Sequence, residues 1–129
     1  MSEKIPAHLK YTKDHEWALV EGNVATIGIT HHAQDALGEV VFVELPAKNK
    51  TLAKGDTFGV VESIKAVSDL YSPINGKVLE VNNGLVDEPG KTNSDPYGSA
   101  WMIKVELQNI ADTAELLSAD DYKKLVESL

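Results

Sequence analysis

Val60-Val61-Glu62-Ser63-Ile64-Lys65-Ala66-Val67-Ser68-Asp69-Leu70-Tyr71-Ser72-Pro73-Ile74-Asn75-Gly76 is the stretch on which the fold turns. A β-rich run ends near Glu62 and a second begins near Asp69, with small and polar residues between them. The pattern predicts two strands joined by a short connection, with Lys65 at its middle. A lysine held there by two strands presents its amine at a defined place and height. The plainer alternative is that Lys65 is one of 12 lysines and solubilises a hairpin tip.

Upstream, Trp17–Val20 and Val24–Ile29 flank Glu21-Gly22-Asn23 and read as a hairpin. Thr30 can cap a short helix over residues 30–37, and Gly38 can end it in a left-handed conformation. Val40–Leu45 is an apolar run closed by Pro46, Lys54-Gly55-Asp56 is a turn, and Thr57–Val61 is a strand. Downstream, Asn75-Gly76 turns into a strand at Lys77–Val81, and Asn82-Asn83-Gly84 turns again. Asp87–Ser99 is rich in Pro, Gly, Asn and Asp, which predicts a long loop before a last strand at Trp101–Leu107. Tyr122, Leu125, Val126 and Leu129 fall at i, i+3, i+4, i+7, one face of a helix. Ser118 and Asp121 resemble a capping box at its start. Gly38–Val43 with Phe58–Val61 is faintly echoed by Gly76–Val81 with Trp101–Val105. The expectation is one mostly β domain over residues 1–129, a flattened barrel or a sandwich of two antiparallel sheets. It carries the short helix at 30–37 and an amphipathic C-terminal helix.

Composition narrows the function. A chain of 129 residues supports one compact domain with a real core. No apolar run approaches the roughly 20 residues needed to cross a bilayer. Met1–Pro6 shows neither an apolar signal segment nor an arginine-rich transit pattern. The expected location is the bacterial cytoplasm; a trimmed mature mitochondrial form would read the same way. Net charge is −8, and every basic residue is Lys or His. That argues against nucleic acid and anionic membranes, and for docking onto basic patches of other proteins. Cysteine is absent, so disulfides, thiolate metal sites and Cys nucleophiles are excluded. Redox chemistry would have to come from a group added to the chain. His31 and His32, adjacent on a helix, point about 100° apart and suit a helix cap better than a shared ion. His15 is expected to be structural, and no metal site is expected. No Ser-His-Asp set, phosphate loop or zinc spacing is present.

Glu62-Ser63-Ile64-Lys65-Ala66-Val67-Ser68-Asp69 closely resembles the lipoylation segment of glycine cleavage H proteins. Lys10-Tyr11-Thr12-Lys13-Asp14-His15-Glu16-Trp17 is similar to that family's N-terminal signature. So are Ala25–Thr30 with His32-Ala33-Gln34, and Leu37–Pro46. Tyr71–Gly76 and Asn93-Ser94-Asp95-Pro96-Tyr97 with Trp101 match further on, so the likeness spans essentially the whole chain. It departs at Ala100, where a Gly often precedes the Trp, and at Lys48-Asn49-Lys50, which replaces a Gly-containing turn.

The resemblance implies a fold of the lipoyl/biotinyl-carrier type. It implies lipoate covalently bound to Lys65, with Glu62, Ser63 and Ala66 recognised by the lipoyl-attaching enzyme. It further implies a non-catalytic carrier that serves as a shared substrate. The arm takes an aminomethyl group from a pyridoxal-phosphate glycine decarboxylase and gives the one-carbon unit to a tetrahydrofolate-dependent aminomethyltransferase. It is then reoxidised by dihydrolipoamide dehydrogenase. An alternative role is lipoyl donor to other lipoyl-dependent complexes. Glu16 and Asp69 match the family's arm cleft, and Asp14 is a lesser candidate. The alternatives are that Glu16 is a surface acid, that Asp69 only shapes a turn, and that Asp14 is incidental. A biotinyl carrier is disfavoured because Ile64 and Ala66 replace the usual flanking Met residues. A 2-oxoacid dehydrogenase lipoyl domain typically has Asp where Ile64 stands. A Schiff-base enzyme would need a desolvated Lys65, whereas Glu62 and Asp69 favour the charged amine.

Overall fold

The computed structural model describes residues 5–129. Strand β1 (Lys10–Tyr11) pairs with β2 (Glu16–Glu21), which turns back at Gly22-Asn23 into β3 (Val24–Ile29). Gly22 sits at φ 61°, which suits a two-residue hairpin. Helix α1 (His31–Leu37) follows, with Thr30 Oγ1 accepting the Ala33 N–H at its start. Gly38 ends α1 at φ 81° and ψ −154°. This glycine-favoured geometry differs from the left-handed helical one expected, because the chain must leave α1 extended to enter β4 (Val40–Glu44).

Beyond β4 come β5 (Thr51–Leu52), β6 (Thr57–Ser63), β7 (Val67–Tyr71) and β8 (Gly76–Val81). Helices α2 (Asn83–Asp87) and α3 (Lys91–Ser94) precede β9 (Ile103–Leu107), a 3-10 turn (Ile110–Glu115) and α4 (Ala119–Glu127). All pairing is antiparallel. One sheet has the order β1-β2-β3-β9-β8-β5, the other β4-β6-β7. The result is a two-sheet sandwich and not a closed barrel. The faint internal echo has a physical counterpart. Its first half forms the β4–β6 pair and its second half the β8–β9 pair, one in each sheet.

Several boundaries differ from expectation. The connection at Lys65 is three residues, since β6 runs to Ser63 and β7 starts at Val67. Asn82–Gly84 is the entry to α2, drawn inward by Leu85, which is fully buried. The 87–99 segment contains α3. The last strand begins at Ile103, because Trp101 still donates its N–H to Gly98 O. Helix α4 stops at Glu127, leaving Leu129 outside it and exposed. The Ser118 half of the capping box forms, Oγ accepting the Asp121 N–H at 3.1 Å.

Ile27, Val43, Val61, Ile74, Val78, Met102, Ile103 and Val105 fill the space between the sheets. Each buried aliphatic side chain of this kind contributes about 1.5–3 kcal/mol. A second cluster of Leu9, Tyr11, Trp17 and Tyr122 seats α4 on the first hairpin. Tyr11 and Tyr122 stack there with ring centroids 4.6 Å apart. Among the described residues no helix is long and apolar enough to cross a membrane.

Candidate functional site: the lysine hairpin and its groove

The β6–β7 hairpin holds Ile64-Lys65-Ala66 at its tip. Ser63 makes the turn. Its N–H donates to Ala66 O at 2.8 Å, and its Oγ accepts the Ala66 N–H at 3.0 Å and the Lys65 N–H at 3.3 Å. The Ile64 N–H donates to Glu39 O at 3.1 Å and ties the tip to the segment after α1. Lys65 is exposed. Its stem rests on Gly38, where an added Cβ would lie 3.3 Å from Lys65 Cε. Glycine there leaves the lysine a bare backbone track.

The surroundings of the tip are apolar and acidic. Ile64 in the tip and Val67 at the start of β7 are 72% and 65% exposed, adjacent apolar side chains open to solvent. The register Phe42↔Glu62↔Val67 sets one carboxylate between two exposed apolar side chains. Glu44, Val60 and Asp69 form a parallel row on the same face.

A groove of about 230 Å³ opens between α1 and β7. Asp14, His15, His32, Ala33, Leu37 and Asp69 line it. Asp14, the lesser candidate, therefore shares a groove with Asp69. Asp69 lies within β7 opposite Val60, so it does not serve to shape a turn. His15 adopts φ 68°. Its ring lies 4.5 Å from that of His32, and its Nδ1 is 2.8 Å from Tyr122 Oη. Tyr122 Oη is in turn 2.7 Å from Thr30 Oγ1. Among the described residues no group of three or more His, Cys, Asp or Glu side chains is placed to hold a metal.

Glu16 is no surface acid. It is 2% exposed and faces the neighbouring cavity of about 310 Å³, which Asp14 also lines. Oε1 accepts from Thr12 Oγ1 at 2.8 Å, and Oε2 accepts the Tyr71 N–H at 3.1 Å. Burial pushes its carboxyl up to about 7, against those two hydrogen bonds, and the Asp14 charge adds to the rise. The carboxyl links β2 of one sheet to β7 of the other, which no local pattern in the sequence announces.

Known proteins resemble this chain over nearly its whole length. The family model described as glycine cleavage H-protein matches residues 9–129. The chain belongs to the glycine cleavage H-protein family. This family is the lipoyl-carrying shuttle of the glycine cleavage system. The glycine cleavage system H protein of Carboxydothermus hydrogenoformans is 54% identical over 123 residues, 95% of each chain. That of Staphylococcus epidermidis is 53% identical over 122 residues, 95% of this chain and 97% of its own. A crystal structure of the H protein from Mycobacterium marinum matches with a TM-score of 0.87 at 40% identity. It covers 97% of this chain and 100% of that one. Within the H-protein frame, the departures noted in the sequence are absorbed locally. Asn49 takes φ 74° in place of a turn glycine, and Ala100 is buried.

Proposed function

We propose that Lys65 is the lipoyl attachment site and that the chain acts as a non-catalytic carrier domain. It would be loaded with an aminomethyl group at a pyridoxal-phosphate glycine decarboxylase and unloaded at a tetrahydrofolate-dependent aminomethyltransferase. Dihydrolipoamide dehydrogenase would reoxidise it. The observation that carries this reading is the three-residue tip. It presents one exposed lysine on a glycine track beside a groove lined by Asp14 and Asp69. Lipoate, when bound, supplies a dithiolane that a chain without Cys lacks.

The protein's own residues do the rest. Ser63 and Glu39 fix the height of the lysine. Asp14 and Asp69 receive a cationic arm terminus, and α1 walls it from water. Glu16 lies in the cavity behind them. The attaching enzyme reads Glu62 and Ala66 beside the lysine; Ser63 shapes the turn as well as flanking it. The exposed Phe42, Val67 and Ile64 with their neighbouring carboxylates offer partner enzymes an apolar patch with an acidic border. The cytoplasm is the proposed compartment.

Intact mass and peptide mapping after incubation with a lipoate ligase, lipoate and ATP test the assignment. One lipoyl increment on Lys65 is expected, and modification elsewhere or none overturns it. Lys65→Arg should fold normally, because the side chain is exposed, and should accept no lipoyl group. Unchanged circular dichroism with complete loss of the mass increment checks both halves.

A further inference from the structure

The Asn93-Ser94-Asp95-Pro96-Tyr97 run has no part in the site as described so far, yet it grips helix α1 at both ends. At the far end, Asn93 Nδ2 donates to Gly38 O at 2.7 Å and to Gln34 Oε1 at 3.0 Å. Its Oδ1 accepts the Val40 N–H at 2.9 Å. At the near end, Tyr97 Oη accepts the His31 N–H at 3.0 Å. Pro96 O accepts the Trp17 Nε1–H at 2.9 Å and anchors the run itself to β2. Asn93 thus uses both donors and its acceptor on one object, the exit of α1. Such a fully engaged amide fixes its target in three directions.

That target supports the lysine. Gly38 is the track on which the Lys65 stem lies, and Glu39, between the two residues Asn93 holds, accepts the Ile64 N–H of the tip. The chain of contacts runs Asn93 to Gly38 and Val40, then through Glu39 to Ile64 and Lys65. Ser63 closes the turn internally, and the tip is placed relative to the exit of α1 through the start of β4, where Val40 pairs with Ser63 and Glu39 accepts the Ile64 N–H. We propose that Asn93 is a positioning residue for Lys65. It holds the Gly38–Val40 segment as the seat on which the lysine is presented to the enzymes that modify it. The inference rests on Lys65 being the lipoyl acceptor.

The test combines amide hydrogen exchange by NMR on unmodified protein with the kinetics of ligase-catalysed lipoylation. Asn93→Ala should speed exchange at Val40 and Ile64 by about tenfold or more, the loss expected when a part-buried set of three hydrogen bonds is removed. Ala66, held by Ser63, should be unaffected. The KM of the ligase for the protein should rise several-fold with kcat nearly unchanged. Asn93→Asp keeps the acceptor for Val40 and loses both donors, so Ile64 should loosen more than Val40. It also serves if the alanine variant does not fold. Ser118→Ala, which weakens only the α4 cap, controls for stability and should leave Ile64 exchange and the KM at wild-type values. Wild-type values of both in the folded Asn93 variants, or changes that Ser118→Ala reproduces, overturn the proposal. Failure of the wild type to accept lipoate at Lys65 instead overturns the acceptor assignment, and the exchange data still decide the mechanical part.

Discussion

Glu16 shows how one side chain can be held against its own preference. Its carboxyl is buried beside Asp14 and titrates near 7, against about 4.3 in an unfolded chain. A raised acid means that the folded state holds the proton more tightly. Below pH 4 both states are protonated and the group is neutral to stability. Between about 4.3 and 7 the folded state binds more protons, so stability falls as pH rises. Above 7 the full penalty, on the order of 3 kcal/mol, bears on the fold. Glu16→Gln carries no such charge. Its amide oxygen can accept the Tyr71 N–H while its NH₂ group faces Thr12 Oγ1. The variant should match the wild type near pH 3.5 and exceed it at pH 8 by up to about 3 kcal/mol. Thermal unfolding at both values measures this, and a difference that stays flat with pH would mean the carboxylate is well solvated. The penalty makes Glu16 a candidate for a role other than stability.

At the scale of elements, α4 reaches back to the groove. Tyr122 is fully buried, stacks on Tyr11 of β1, and its hydroxyl lies within hydrogen-bond distance of both His15, a groove residue, and Thr30, the cap of α1. Tyr122→Phe keeps the stack and removes that hydroxyl. A loss of about 1–3 kcal/mol in urea unfolding is expected, with faster exchange at Ala33, the amide that Thr30 caps. A smaller loss confined to α4 would show that the hydroxyl does not couple the two helices. How much of this was legible in the sequence follows from how local each signal is. The Gly22-Asn23 hairpin, the Thr30 cap and the Ser118 cap are fixed within a few residues and were readable. So was the lysine tip, though its strands extend further because Ser63 folds the turn more tightly than composition reveals. Strands β1 and β5 are two residues each and helices α2 and α3 five and four, too short to carry a period. Leu85 and Thr92 are buried by neighbours distant in sequence. Likewise, Glu16 and Asp69 could be named as candidates, whereas the seat formed by Asn93 and Gly38 exists only after residues 53–55 apart are brought together.

For the molecule as a whole, the net charge of −8 includes a cluster of carboxylates around the lysine tip. Glu39, Glu44 and Asp69 are exposed around the tip and Glu62 is half-buried there, while Lys65, acylated as proposed, would lose its charge. Acylation would therefore leave the proposed docking face more acidic and less able to attract another acidic surface. A partner with a basic mouth around its active site would be steered to this face first. The exposed Phe42, Ile64 and Val67 would then supply contact area. Exposed charges a Debye length apart, about 8 Å at physiological ionic strength, are screened by added salt, whereas apolar contacts are not. Raising salt from about 0.05 to 0.5 M should therefore raise the KM of the decarboxylase for the lipoylated protein severalfold, with kcat changing little. Glu62→Lys, which places the opposite charge between Phe42 and Val67, should reproduce much of that increase at low salt and flatten the salt dependence. A KM insensitive to salt in the wild type would assign docking to the apolar patch alone, and Val67→Ser would then become the damaging change.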